Sequence, residues 1–352
     1  MSIRPRIREL APYDFAPHPE GVKLDQNELP YDLTESLREE FVTRVATLAL
    51  NRYPDLEARE LRIALAGLHD WPQDGVVVTP GSNVLIQYLV IAAGIGQSVL
   101  IPSPTFGVYR QQALMLDTDL IEVPMGPRFE LPTDRMLTAM ERSQGIIFVA
   151  NPAAPTGNLH PQGELERLID AADHRWTIVI DEAYAQFAGS DLSNLARRPS
   201  VISIRTLSKA FGLAGARIGY ALTSPEIARE IRKIVLPFAV SGLQQAAALT
   251  MVANHDFVVR RAQEVAAERQ WLMQELHETP GVTAFPSVTN FVLFKVSSAT
   301  RVYEGLLRRG VVVRLQSAAT LQNCLRVSVG TRDENEGFLA ALRESLTEDG
   351  DE

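Results

Sequence analysis

The sequence predicts an α/β protein. A large domain with a mostly parallel seven-stranded sheet covered by helices is followed by a smaller α/β domain. Three observations carry this expectation. Short β-branched runs alternate with longer helical patterns through the middle of the chain, the pattern of parallel strands joined by crossover helices. Several runs are apolar at every position rather than at every second one, as in strands covered on both faces. At 352 residues the chain also exceeds what one core organises, so two lobes are expected.

In chain order, residues 1–30 are irregular and rich in proline, and are expected to form an arm that wraps across the lobes. The large domain is expected over 31–255. Its candidate strands are Val76–Thr79, Ser98–Ile101, Leu120–Val123, Gly145–Val149, Thr177–Ile180, Val201–Ile204 and Ala216–Tyr220. Gly163–Ala172 reads as a helix between two of them. Ser224-Pro225-Glu226 reads as a helix start, with a capping hydroxyl and a proline in the first turn. The smaller domain is expected over 256–352. It opens with an amphipathic helix over Arg260–His277. Strand-like Asn290–Phe294, a helix over Ala299–Arg309, strands at Val311–Arg314 and Leu325–Val329, and a helix from Asp333 follow. The chain has no internal repeat.

The composition, 46% hydrophobic and 22% charged, is that of an ordinary globular enzyme. The net charge is −9 and no basic stripe occurs, so neither nucleic acid nor an acidic membrane surface is an expected partner. Cys324 is the only cysteine, which rules out an intrachain disulfide and a thiolate zinc cluster; no metal is expected. The N-terminus lacks the apolar core of a signal peptide. The longest apolar stretch, Val84–Ile95, is interrupted by Gln87 and Gly94 and is too short to span a bilayer. A cytoplasmic protein is expected.

The segment Thr206-Leu-Ser-Lys-Ala-Phe-Gly-Leu-Ala-Gly-Ala-Arg-Ile-Gly-Tyr220 is the most informative. It places Lys209 after a buried strand, with Ser208 before it and Arg217 after it. An amine in a dry site loses its proton and attacks carbonyls, while an arginine and a hydroxyl suit a phosphate. Together they suggest a lysine that binds the aldehyde of pyridoxal phosphate; a surface lysine is the alternative. Asp181 ends the apolar run Thr177–Ile180, where ligands bind in open α/β sheets. It suits either the pyridine nitrogen of such a cofactor or a helix N-cap. Tyr184 suits the cofactor's phenolate oxygen or a half-buried core position. Gly81-Ser82-Asn83 opens a helix after a strand, and a helix N-terminus binds anions, although any capped helix looks similar. Arg326 lies on an apolar strand, where an unpaired guanidinium is costly, so it calls for an anion from substrate or protein. Arg314 ends a neighbouring apolar run and is either a second anion site or a surface residue.

In this order the motifs resemble the fold-type I, class I/II pyridoxal-phosphate aminotransferases, and among them the histidinol-phosphate branch, over residues 10–342. Arg205–Gly215 resembles the family's lysine motif nearly residue for residue. Asp181-Glu-Ala-Tyr184 resembles its ring-nitrogen segment, and Leu325–Arg332 its carboxylate-arginine segment. The resemblance implies that Lys209, Asp181 and Tyr184 are catalytic. It implies that Gly81, Ser82, Asn83, Ser208 and Arg217 hold the cofactor, that Phe106 stacks on its ring, and that Arg326 takes a substrate carboxylate. Asn51-Arg-Tyr-Pro-Asp55 resembles the segment whose tyrosine reaches the partner's cofactor, so Tyr53 implies a homodimer with shared active sites. Arg314 and Tyr13 match the substrate-phosphate contacts, Asn290-Phe291 a pair beside the substrate, and Asn27 the N-terminal Asn-Glu motif.

The implied reaction is transamination between L-histidinol phosphate and 2-oxoglutarate. The alternatives are an aromatic amino acid aminotransferase and a threonine-phosphate decarboxylase on the same fold. A ligand-sensing module without catalysis is a further alternative, but such regulators carry a DNA-binding domain, for which no room is expected outside residues 10–342. Two positions depart from the family pattern. Ala154, in Asn151-Pro-Ala-Ala-Pro-Thr-Gly157, stands where the family has an asparagine that touches the cofactor's phenolate oxygen and the substrate carboxylate. Asn83 stands where an acidic residue often follows the serine.

Overall fold

The computed structural model describes residues 2–10 and 21–347. The described chain opens with helix α1 (Pro5–Glu9), strand β1 (Val22–Lys23) and helices α2 (Glu35–Ala46) and α3 (Arg59–Leu68). Strands and helices then alternate as the sequence suggests: β2 (Val76–Thr79), α4 (Ser82–Ala93), β3 (Ser98–Ser103), α5 (Gly107–Met115), β4 (Asp119–Pro124), α6 (Thr133–Arg142), β5 (Gly145–Ala150), α7 (Gln162–Asp170), β6 (Trp176–Asp181), the short α8 (Ala185–Ala188), β7 (Val201–Thr206) and β8 (Gly219–Leu222). Helices α9 (Pro225–Arg232), α10 (Gly242–Ala253) and α11 (His255–Glu278) lead to the last region.

The main sheet has seven strands in the order β2-β8-β7-β6-β5-β3-β4. Only β8 runs antiparallel to its neighbours. The uniformly apolar strands have a simple cause: side chains alternate between two cores. Ile146 and Phe148 of β5 pack with α4 and α5 on one face. Ile147 and Val149 pack with α3, α6, α7 and α10 on the other. With both faces buried, neither can be polar.

The last region holds β9 (Thr283–Ala284), β10 (Phe291–Lys295), α12 (Ala299–Arg308), β11 (Val311–Val312), β12 (Arg314–Leu315), β13 (Cys324–Ser328) and α13 (Arg332–Thr347). Its sheet runs β12-β13-β10-β9, and β11 pairs separately, in parallel, with β1 of the arm. Among the described residues no helix is long and apolar enough to cross a membrane.

Several boundaries differ from expectation. The run Ala216–Tyr220 is not one strand, because Arg217 adopts a left-handed φ of 55° that breaks the extended conformation; the strand starts at Gly219. Val311–Arg314 splits in two, since β11 is drawn to the arm and β12 to β13. The long helix starts earlier than Arg260, at His255. The arm, expected to be irregular, contains α1 and β1. Ser224 caps α9 as expected, its hydroxyl accepting from the Ile227 N–H at 3.3 Å.

Candidate active site

The carboxyl ends of β6 and β7 lie side by side, and each leads to a candidate site residue. Asp181 ends β6 and is 5% exposed. Tyr109 donates to its Oδ2 at 2.7 Å and the Ala183 N–H to its Oδ1 at 3.1 Å. Burial, with the Glu182 charge adding to it, raises Asp181 to about 6 against the pull of those two hydrogen bonds. Glu182 points away, because successive strand residues face opposite sides. There Arg205 pairs with it at 2.9 Å and with Asp191 at 2.6 Å. One carboxylate of the Asp181-Glu182 pair is therefore neutralised by a guanidinium, and the other is held by neutral donors.

Lys209 follows β7. Its Nζ donates to the Gln26 carbonyl at 2.8 Å and lies 5.7 Å from the Tyr184 ring centre. Burial lowers its pKa to about 7, helped by the charges of Arg326, Arg217 and Lys23 and opposed by that of Glu28. Lys209 and Asp181 thus stand at the ends of neighbouring strands, and burial shifts the pKa of each.

Several of the expected cofactor residues meet at the start of α4. Gly219 lies so close to it that a Cβ there would meet the Ser82 nitrogen at 2.2 Å. A Cβ on Gly81 would meet Arg217 Nη2 at 3.1 Å, so the guanidinium covers the glycine at the helix N-cap. Arg217 Nη1 donates to Ser208 Oγ at 3.4 Å and to the Ala214 carbonyl at 3.1 Å. Gly81, Ser82, Ser208 and Arg217 thus converge beside the first N–H groups of a helix, which lack intrahelical acceptors. Asn83 is exposed. Phe106 caps α5, edge-on to Tyr109 at 5.6 Å, and Tyr109 in turn stacks on Phe148 at 4.9 Å.

The opposite wall comes from β10, β12, β13 and the arm. Arg314 and Arg326 are direct cross-strand partners, so both project on one face of the sheet. Arg326 donates to the Asp25 carbonyl at 2.7 Å and lies 5.2 Å from the Phe291 ring. Asn290 is fully buried and donates to the Asn27 carbonyl at 2.9 Å. Its Oδ1 is buried without a hydrogen-bond partner among the described residues. Asn27 donates from Nδ2 to the Tyr184 hydroxyl at 2.9 Å. Three successive arm carbonyls, of Asp25, Gln26 and Asn27, therefore accept from Arg326, Lys209 and Asn290.

Residues 19–342 match the family Aminotransferase class I and II. The chain belongs to the class I and II aminotransferases. The aminotransferase is 42% identical to the histidinol-phosphate aminotransferase of Deinococcus radiodurans over 97% of this chain and 95% of that one. It is 37% identical to that of Aquifex aeolicus over 98% of both. The crystal structure of the Sinorhizobium meliloti histidinol-phosphate aminotransferase in complex with pyridoxal-5'-phosphate superposes with a TM-score of 0.90 at 25% identity, covering 99% and 98% of the two chains.

Pyridoxal phosphate is the cofactor that goes with this membership, and the aminotransferase's residues fit it. The Lys209 amine suits its aldehyde, the cradle at α4 suits its phosphate, and Asp181 offers a buried negative charge to a cationic ring nitrogen. Tyr53 stands apart from this cluster. It is 82% exposed and stacks on Phe238 at 4.6 Å. Tyr13 lies outside the described residues. Sequence reasoning missed Tyr109, although its i+3 spacing from Phe106 places both on one side of the first turn of α5. It also missed the Gln26 carbonyl, for which a sequence carries no signal.

Proposed function

We propose that this aminotransferase moves the amino group of L-histidinol phosphate to 2-oxoglutarate, with pyridoxal phosphate as cofactor. The observation that carries the choice of substrates is the pairing of Arg314 with Arg326 on one sheet face. Two guanidinium groups on one face suit a substrate bearing two anionic groups, or two substrates bearing one each. Arg326 takes the glutamate α-carboxylate. Arg314 takes either the phosphate of one substrate or the distal carboxylate of the other.

When bound, pyridoxal phosphate supplies an aldehyde that accepts the amino group and a ring that absorbs the electron pair left by the departing α-proton. The Asp181 carboxylate holds the ring nitrogen protonated. Ser82, Ser208, Arg217 and the N-terminus of α4 anchor the phosphate, and Phe106 covers the ring. Lys209 Nζ removes the α-proton and later returns it; an amine with a pKa of about 7 serves as base and acid at neutral pH. Tyr184 offers its hydroxyl to the phenolate oxygen. Asn290 lines the substrate side with Phe291, and Tyr13 is assigned to the substrate phosphate.

Exposed Leu50, Tyr53, Leu56, Leu236 and Phe238 support a homodimer in which Tyr53 serves the second subunit's cofactor. The functional division is an arm over 1–30, a cofactor domain over 31–255 and a substrate domain over 256–352, in the cytoplasm. The purified enzyme offered histidinol phosphate, phenylalanine and threonine phosphate, with 2-oxoglutarate, tests the reading. Preference for histidinol phosphate is expected. Preference for phenylalanine, or release of carbon dioxide from threonine phosphate, rejects it.

A further inference from the structure

Asn27 is 1% exposed and adopts a left-handed φ of 54°. Its backbone N–H donates to Ser328 Oγ at 2.8 Å, and Ser328 Oγ donates to Asn27 Oδ1 at 3.3 Å. The Nδ2 end then donates to the Tyr184 hydroxyl at 2.9 Å. Ser328 is 3% exposed and lies two residues beyond Arg326, on the same face of β13. Its hydroxyl fixes which way the asparagine amide points. Because that oxygen already accepts the Asn27 N–H, its one proton is available for Oδ1. A flipped amide would bring a second N–H to the serine oxygen and leave the serine proton without Oδ1 to receive it. The orientation matters at Tyr184. An amide nitrogen only donates, so the phenol oxygen accepts and its own proton must point elsewhere.

We propose that Ser328 is a positioning residue: through Asn27 it keeps the Tyr184 hydroxyl turned so that its proton is donated to the cofactor's ring oxygen. This rests on the cofactor contact assigned to Tyr184 above. It also gives that contact a particular weight here, because Ala154 removes the family's other donor to the same oxygen. A donated proton stabilises negative charge on the ring oxygen and eases release of the proton held between that oxygen and the lysine nitrogen. Without it, that proton leaves at higher pH. Among the described residues, Lys209, Asp181 with Tyr109, Arg326, Arg217, Lys23 and Glu28 are charged or titratable groups that face Tyr184 or the lysine, and none of them is altered by substitution at Ser328.

The test is a spectrophotometric pH titration of the lysine-bound cofactor in purified holoenzyme, without substrate. Ser328→Ala is expected to raise the midpoint by about half a unit or more, since a hydrogen bond of about 1 kcal/mol corresponds to roughly 0.7 of a unit. Tyr184→Phe should raise it further, and Ser328→Thr, which keeps the hydroxyl, should titrate like the parent. A merely structural role for Ser328 would lower thermal stability without moving the midpoint. Should Ser328→Ala fail to fold, Asn27→Gly gives the same reading, because it removes the amide without adding a charge at a left-handed position that glycine tolerates; its midpoint must also rise. If Tyr184→Phe shifts the midpoint and the Ser328→Ala and Asn27→Gly enzymes that fold do not, the relay is refuted while the cofactor assignment stands. If Tyr184→Phe does not shift it, the contact of Tyr184 falls and this inference falls with it.

Discussion

The two walls of the candidate site are built in different ways. The cofactor wall gathers the ends of neighbouring strands of one sheet: Asp181 from β6, Lys209 just past β7, and Gly81 and Arg217 where β2 and β8 meet α4. The substrate wall is assembled from segments far apart in sequence. Asn27 and Ser328 are 301 residues apart, and Asn27 and Asn290 are 263 apart. The first wall is rigid by sheet geometry. The second is held by hydrogen bonds to arm carbonyls, so it depends on how the arm is seated. Damage to the first should remove chemistry, and damage to the second should weaken recognition.

The largest effect is expected at Lys209. Lys209→Ala should lose the visible absorption of the bound cofactor and all measurable transamination; turnover in that variant would contradict the assignment. Asp181→Ala should follow, with kcat about 10²–10³-fold lower, the usual cost of removing a preorganised electrostatic partner. Its KM for 2-oxoglutarate should change little. A KM that rises as steeply as kcat falls would mean that the two walls are not separable in this way.

Part of the cofactor wall was legible because its residues sit at strand ends or helix starts that composition and periodicity mark, whereas Phe106 came from the resemblance alone and Tyr109 was missed. Lys209, Asp181 and Gly81 could be placed before any fold was known. The substrate wall was legible only as isolated residues. Arg326 drew attention as a charge on an apolar strand, and Arg314 as the end of a run, but their pairing across β12 and β13 needs the register. The partner of Lys209 is a main-chain carbonyl, and the role of Ser328 is a hydrogen bond to another residue's backbone and amide. Neither leaves a trace in residue type. The strand break at Arg217 was missed because its left-handed backbone arises from the cup it closes, where Arg217 covers Gly81, and not from local propensity.

Acidification tests both walls through Lys209. Its depressed pKa means that the amine is neutral above about pH 7 and protonated below it. Capture of added pyridoxal phosphate by the cofactor-free enzyme should therefore be constant above pH 7 and fall about tenfold per unit below it. Two units of acidification thus give about 10²-fold. Attachment that keeps rising towards pH 10 would show an ordinary solvated lysine. Arg326→Ala, by loss of a charged hydrogen-bonded pair, should reduce kcat/KM for glutamate about 10–10²-fold, mostly through KM, while cofactor absorption is unchanged. An Arg326→Ala enzyme that loses cofactor instead would show that the arm seated on Arg326 also supports the first wall.

The smallest effect is expected where the walls meet. Ala154 is 5% exposed in the loop after β5, and it belongs to the same apolar cluster as Tyr184. The loop also touches the segment before β10, since Val288 N–H donates to the Gly157 carbonyl at 2.8 Å. Ala154→Asn would restore a donor that the family pattern places at the cofactor's ring oxygen. A neutral hydrogen bond contributes about 1 kcal/mol, so the gain in kcat/KM is bounded near tenfold if it is fully expressed in the transition state. The same amide in the cofactor-free protein is buried without its partner, which costs about 1–3 kcal/mol. Melting temperature should therefore fall in the cofactor-free variant and recover in the holoenzyme, and this difference separates a formed contact from mere crowding. A variant destabilised equally in both states would place Ala154 outside the reach of the cofactor and leave Tyr184, braced by Asn27, as the donor at the ring oxygen.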